Sequence, residues 1–133
     1  MIESGKLVLD TSAFSRMRSG HLEVLEQVAA AQIIILPVTV LGELQAGFLL
    51  GKRVRENRVM LAEFLEEPFV SVRPTTSEVA RRYGELFAQL KRAGTPIPVN
   101  DIWIGAATLE CGGHLLTFDH HFGRILGLSC TIL

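Results

Sequence analysis

Four acids in this sequence sit where acids are costly. Asp10, Asp101 and Asp119 each adjoin apolar runs, and Glu43 is flanked by Leu41, Gly42, Leu44 and Ala46. The aspartates are scarce: of 14 acidic residues, only these 3 are Asp. A carboxylate beside buried chain costs free energy unless something compensates it. Each has a plain role when taken alone. Asp10 can cap a helix, Asp101 suits the positive end of a helix dipole, Asp119 suits a turn, and Glu43 can pair with a buried arginine. Taken together they suggest something else. Four like charges gathered in a partly buried site repel strongly, so some must be protonated or a cation must lie between them. Oxygen ligands without cysteine suit a hard ion, Mg²⁺ or Mn²⁺. Ions held that way polarise phosphoryl oxygens and lower the pKa of a bound water.

Whether the four meet depends on the elements that carry them. Residues 6–9 (Lys-Leu-Val-Leu) form a short apolar run before Asp10-Thr-Ser12, a buried strand followed by helix-capping residues. Leu22, Leu25, Val28 and Ala29 recur at helical spacing over residues 21–31. Residues 33–36 are β-branched and run into Pro37, a second strand. A helix apolar nearly all round is expected over Val38–Leu50, then a more polar one over 52–65, then a third strand over 69–72. Thr75 stands three residues ahead of Glu78, the spacing of a capping box, before a helix that stops at Gly94. Residues 95–99 read as a rigid loop, and Asn100 as the cap of a helix over 101–111 that Gly112 and Gly113 end. A fourth strand is expected over 114–117, one or two helical turns over 120–126, and a last strand over 130–133.

Strands apolar on both faces and separated by helices predict a parallel sheet covered on both sides. Right-handed crossovers start each following helix at the carboxyl edge of the sheet, from which it runs back. Asp10 follows its strand directly and Asp119 follows one by two residues, so both belong at that edge. A helix from Asp101 to Cys111 descends roughly 16 Å, and a strand from His114 to Phe118 climbs back by roughly the same amount. Asp101 is therefore level with Asp119. Glu43, early in its helix, is within reach of the same edge, where parallel sheets bind ligands.

Composition narrows the classes. The chain has 133 residues, 48% apolar and 20% charged, with a net charge of −1. This fits one globular domain spanning residues 1–133 and excludes nucleic-acid binding through overall charge. The longest apolar run, residues 33–41, is too short to span a bilayer. Residues 1–5 lead into the first strand, so no signal segment is expected. Cys111 and Cys130 make neither a disulfide framework nor a zinc cluster. A reduced, cytoplasmic protein with no membrane association is the expectation.

The pieces Leu7-Val-Leu-Asp10-Thr-Ser12, Gly42-Glu43-Leu44, Asn100-Asp101-Ile-Trp-Ile-Gly-Ala-Ala107 and Leu116-Thr-Phe-Asp119-His-His-Phe122 resemble, in order and spacing, the PIN-domain ribonucleases. The likeness is greatest to VapC-type toxins of toxin–antitoxin pairs. The resemblance implies an α/β/α sandwich with a parallel five-stranded sheet of order 3-2-1-4-5. It also implies a Mg²⁺- or Mn²⁺-dependent endoribonuclease leaving 5′-phosphate and 3′-hydroxyl ends, a homodimer, and inhibition by a small VapB-type antitoxin. The metal-binding, catalytic acids fall on Asp10, Glu43, Asp101 and Asp119. Ser12 and Thr117 fall on supporting positions. Many members carry a further acid where this chain has His121. That residue can contact phosphate, bind metal weakly or cap its own turn.

For the RNA backbone, Lys52, Arg53, Arg55 and Arg58 form the densest basic cluster, which is either a phosphate-binding surface or a solvated helix face. Arg16 and Arg18 are second candidates. An antitoxin groove is expected beside the helices at 38–50 and 52–65, and dimer contacts at the C-terminal stretch or the 76–94 helix. A phosphoacceptor receiver domain is disfavoured because Arg73-Pro74 follows the third strand and no lysine follows Lys91. A haloacid-dehalogenase phosphatase would want an acid where Ser12 stands. A P-loop, a dinucleotide glycine fingerprint and a zinc HExxH motif are absent. The serious alternative is a non-catalytic PIN-like module whose acids serve structure or partner contact.

Overall fold

The computed structural model describes residues 4–133. Residues 1–3, on which the signal-segment expectation partly falls, lie outside the described residues. The order is β1 (Lys6–Leu9), α1 (Thr11–Arg18), α2 (Leu22–Ala30), β2 (Ile33–Pro37), α3 (Val38–Leu50), α4 (Val54–Glu66), β3 (Val70–Arg73), α5 (Ser77–Arg92), α6 (Val99–Cys111), β4 (His114–Thr117), a 3₁₀ turn (His120–Arg124) and β5 (Cys130–Ile132). The five strands form one parallel sheet of order β3-β2-β1-β4-β5. This is the expected α/β/α sandwich.

Hydrophobic burial explains the order. Leu7, Val8, Leu9, Leu36, Leu115 and Leu116 have no exposed surface. Strands this apolar on both faces belong at the centre of a covered sheet. β3 and β5 carry half-exposed residues and take the edges. Val8 pairs with Ile35 on one side and Leu115 on the other, so the chain leaves β1 and β4 at one edge. Gly113, between α6 and β4, is packed so closely that a Cβ there would lie 2.7 Å from Val8 Cγ2.

Several local expectations are corrected. The helix after β1 does not run back along the sheet. α1 lies across the carboxyl edge, because Asp10 begins it and His21, which follows it, packs edge-on against Phe118 beyond β4, ring centroids 5.1 Å apart. The descent falls to α2. The cap of α5 is Thr76, whose hydroxyl accepts from Val79 N at 3.3 Å, and not Thr75. Burying Val79, Leu86 and Leu90 sets the helix phase, and that phase makes Val79 the residue the cap must reach. Glu78 pairs instead with Arg81. α6 begins at Val99, with extended Pro98 at its cap position and the Pro98 carbonyl accepting from Asp101 N. Asn100 is thus inside the first turn, and its side chain is free for another use. α4 begins at Val54, leaving Lys52 and Arg53 in the preceding turn.

Candidate active site

The carboxyl edge forms a cleft of about 290 Å³ lined by Asp10, Thr11, Ser12, Ser15, Glu43, Asp101, Ile104 and Asp119. All four acids singled out in the sequence line it. They come from four places: the end of β1, the second turn of α3, the first turn of α6 and the residues after β4.

Asp10 is the most deeply held. Its Oδ1 accepts from Ser12 Oγ at 2.7 Å and Ala13 N at 2.8 Å. Its Oδ2 accepts from Thr117 Oγ1 at 2.5 Å. A carboxylate offers about four lone-pair directions, and these three donors leave one, on Oδ2. Burial pushes the Asp10 carboxyl up, against the lowering effect of those hydrogen bonds. Ser12 and Thr117 also tie the two strand ends together: Ser12 Oγ accepts from Phe118 N at 3.0 Å, and Thr117 Oγ1 from Asp119 N at 2.9 Å.

Asp101 and Asp119 form a pair. Burial, followed by the Asp119 charge, pushes the Asp101 carboxyl up to about 6. Partial burial works to raise Asp119 as well, but the His121 N–H and the nearby His121 ring hold it below its ordinary value. The first proton taken up by the pair therefore resides on Asp101. The His121 ring turns toward both, Nδ1 lying 2.9 Å from Asp119 Oδ1 and 3.3 Å from Asp101 Oδ2. Neither oxygen lies in line with the ring nitrogen, so Nδ1 is buried without a hydrogen bond. His121 does more than cap its turn. Its backbone N–H caps on Asp119 at 2.9 Å, while its ring joins the acids.

Glu43 lines the same cleft. Its Oε1 accepts from Thr11 Oγ1 at 2.6 Å, and its Oε2 from Asn100 Nδ2 at 3.3 Å. It is half-buried and paired with no arginine. Thr11 and Asn100 are site residues the sequence reading missed. The signal available was adjacency alone, since each is the immediate neighbour of an aspartate, Asp10 or Asp101.

The donors fit a divalent ion. Among the described residues, Asp101, Asp119 and His121 each offer a ligand atom, and these atoms lie within 4.8 Å of one another. Two of these donors are carboxylates, as a hard ion requires, and the third is the His121 imidazole nitrogen beside both. Asp10 and Glu43 line the same cleft without belonging to that closest group. The basic cluster is not brought in. Lys52, Arg53, Arg55 and Arg58 are exposed and line no part of the cleft, and Arg58 Nε donates to Gln45 Oε1 at 3.0 Å. Lys52 lies nine residues past Glu43, roughly 13 Å along the helix direction. Trp103 and Phe122 are packing residues, Trp103 stacked on Tyr83 with centroids 4.0 Å apart and Phe122 fully buried.

Comparison with known proteins agrees with this fold. The PIN domain family matches residues 7–127. The chain is similar to a solved structure of VapBC2 from Rickettsia felis bound to a promoter DNA fragment, at 26% identity and TM-score 0.83 over 96% of this chain and 98% of that one. It is also similar to VapBC-5 of Mycobacterium tuberculosis, a member of the VapBC family of toxin–antitoxin systems, at 25% identity and TM-score 0.74 over 97% and 98% of the two chains. The fold alone is shared with Mycobacterium tuberculosis VapC20, a sarcin–ricin loop cleaving toxin, at 17% identity and TM-score 0.65 over 92% and 96%. No curated protein sequence matches the chain significantly.

Proposed function

The chain belongs to the PIN domain family, and from that premise we propose that it is a Mg²⁺- or Mn²⁺-dependent endoribonuclease, the toxin of a type II toxin–antitoxin pair. One observation carries the reading: three aspartates distant in sequence share a cleft, and two of them pack against an imidazole within the span of one ion's ligands. Likeness to VapBC complexes supports the partner, and a sarcin–ricin loop cleaving toxin shares the fold.

Asp10, Asp101 and Asp119 would hold the ion, with Glu43 in the same cleft and His121 beside them. Such an ion neutralises charge on the phosphodiester and lowers the pKa of a water for in-line attack. The chain's own residues supply the positioning. Ser12, Ala13 and Thr117 fix Asp10 so that its free lone pair faces the cleft. Thr11 and Asn100 hold Glu43 in one orientation, where its remaining lone pairs can take a proton from an attacking water.

The antitoxin surface we assign is the groove between α1, α3 and α4, where Phe14, Leu44, Phe48 and Met60 lie beside Ser15, Arg18, Ser19 and Asn57. Beside it Leu49, Leu50 and Val59 are exposed, Leu50 at 90%. A groove of mixed lining on a face with exposed aliphatics suits an amphipathic helix. The dimer surface we assign is α5, where Phe87 is 42% exposed beside Tyr83. No helix among the described residues is long and apolar enough to cross a membrane.

Incubating the purified protein with RNA and Mg²⁺ or Mn²⁺ tests the reading. Cleavage should require the ion and disappear in Asp10→Asn and Asp101→Asn, both folded. Cleavage that survives excess chelator, or that persists in both variants, removes the metal role. A folded wild type inert on all RNA leaves only a binding module.

A further inference from the structure

An acid-lined cleft repels the phosphates it is proposed to cleave, so a cation must stand close by. Among the described residues, four of the ten arginines are already engaged. Arg58 bonds to Gln45, Arg73 to Glu110, Arg81 to Glu78 and Glu85, and Arg124 to the Pro96 carbonyl. Arg16 differs from all of these. Its guanidinium carbon lies 4.8 Å from the centroid of the Phe118 ring, within cation–π range. Among the described residues its side chain has no hydrogen-bond or ion-pair partner. Stacking leaves the N–H fork free to address a planar or tetrahedral oxyanion.

The ring that holds it is itself placed by the site. Phe118 lies between Thr117 and Asp119, its N–H donates to Ser12 Oγ at 3.0 Å, and the same Ser12 hydroxyl donates to Asp10. His21 packs edge-on against the same ring, and its buried Nδ1 has no hydrogen-bond partner. Arg16 is thus held over the residue that lies between Thr117 and Asp119, positioned through Phe118 by the residues that position Asp10 and Asp119.

We infer that Arg16, held by Phe118, is the phosphate-binding residue for the RNA nucleotide next to the scissile bond. This rests on the endoribonuclease reading and adds a substrate subsite to it. The exposed cluster at Lys52 to Arg58 then has no part in positioning the cleaved phosphate.

The test is cleavage of total bacterial RNA in Mn²⁺, with initial rates followed against RNA and KCl concentration. Arg16→Ala should lower the rate at sub-saturating RNA by about tenfold and keep the saturating rate within about twofold. It should also flatten the log–log salt dependence by about one. Arg16→Gln, which keeps most of the stem, should match Arg16→Ala, and Arg16→Lys should keep the wild-type salt slope. Phe118→Leu should give a smaller loss of the same kind. Arg16→Ala or Arg16→Gln with the wild-type rate and slope overturns the inference. So does a fall in the saturating rate at unchanged slope, which marks a merely structural residue. A wild type that cleaves while Arg16→Ala is unaffected sinks this subsite alone, whereas a wild type inert in Mn²⁺ sinks the nuclease reading with it.

Discussion

Thr117 Oγ1 donates a hydrogen bond of 2.5 Å to Asp10 Oδ2, joining two residues 107 positions apart at the ends of adjacent strands. The same oxygen accepts from Asp119 N. One buried hydroxyl therefore orients two of the acids and fixes β1 against β4 at the edge where both are needed.

Thr117→Val removes that hydroxyl at nearly constant volume. It leaves a buried carboxylate oxygen and the Asp119 N–H each short of a partner. The cost to stability should be about 1–3 kcal/mol, read as a lower urea midpoint at unchanged m-value. RNA cleavage should fall more than the stability loss explains, because Asp10 and Asp119 lose their alignment. Serine at 117, which restores the donor, should recover most of both.

The raised Asp101 carboxyl makes metal-free stability depend on pH, with a definite sign. Its value is about 6 in the fold against an ordinary 3.8, so between these the folded state binds more protons than the unfolded. Stability from this group is therefore full below about pH 4 and is lost as pH rises through 6. Asp10, also raised by burial, acts in the same direction. In chelator, the thermal midpoint should be higher at pH 5 than at pH 7.5, against any general trend in a variant lacking the pair. Asp101→Asn should be more stable than wild type at pH 7.5 and should flatten this dependence. Partly buried His114, its pKa lowered by desolvation, adds stability as pH rises in the same window, so the comparison is with the variant: a wild-type midpoint that climbs from pH 5 to 7.5 relative to that of Asp101→Asn would contradict the proposed repulsion.

Divalent ions should reverse that repulsion. At 100 times its dissociation constant, an ion that binds only the fold adds about 2.7 kcal/mol. Mn²⁺ at pH 7.5 should raise the midpoint, and raise it less at pH 5, where Asp101 is protonated. Asp119→Asn should abolish most of the shift. His121→Glu, which supplies an acid where the ring now stands, should tighten Mn²⁺ and Mg²⁺ binding in calorimetric titration. Equal shifts in wild type and Asp119→Asn would place the ion elsewhere.

Gly113→Ala probes the packing that delivers α6 to the site. A Cβ there would stand 2.7 Å from Val8 Cγ2, 3.1 Å from Cys111 Sγ and 3.4 Å from the Lys6 carbonyl oxygen, so neighbouring chain must shift. Overpacking of this kind costs about 1–3 kcal/mol. Denaturant unfolding should show the loss, while the Mn²⁺ dissociation constant stays within about threefold of wild type, since the cleft is at the opposite edge.

The sequence by itself determined the layers and the edge. Runs such as Leu7-Val-Leu9 and Leu115-Leu116 are apolar on both faces, and only a covered parallel sheet buries both. Once strands and helices alternate, chain length places Asp10, Asp101 and Asp119 at one level. Burial is a property each segment carries locally, so it can be read from composition and period. Hydrogen-bond partners between distant segments cannot be read that way. Only the tertiary structure decided that Asn100 leaves its helix cap to Pro98 and reaches Glu43, and that Thr11 takes the other Glu43 oxygen. Likewise, only the packed chain laid α1 across the sheet edge, which set Arg16 over Phe118 and turned the His121 ring toward two carboxylates. The choice of Thr76 over Thr75 has the same origin, because either threonine can cap and only the buried stripe of α5 selects one. Polar side chains have several partners of similar energy within reach, and the packed backbone determines which partner is close enough to bond.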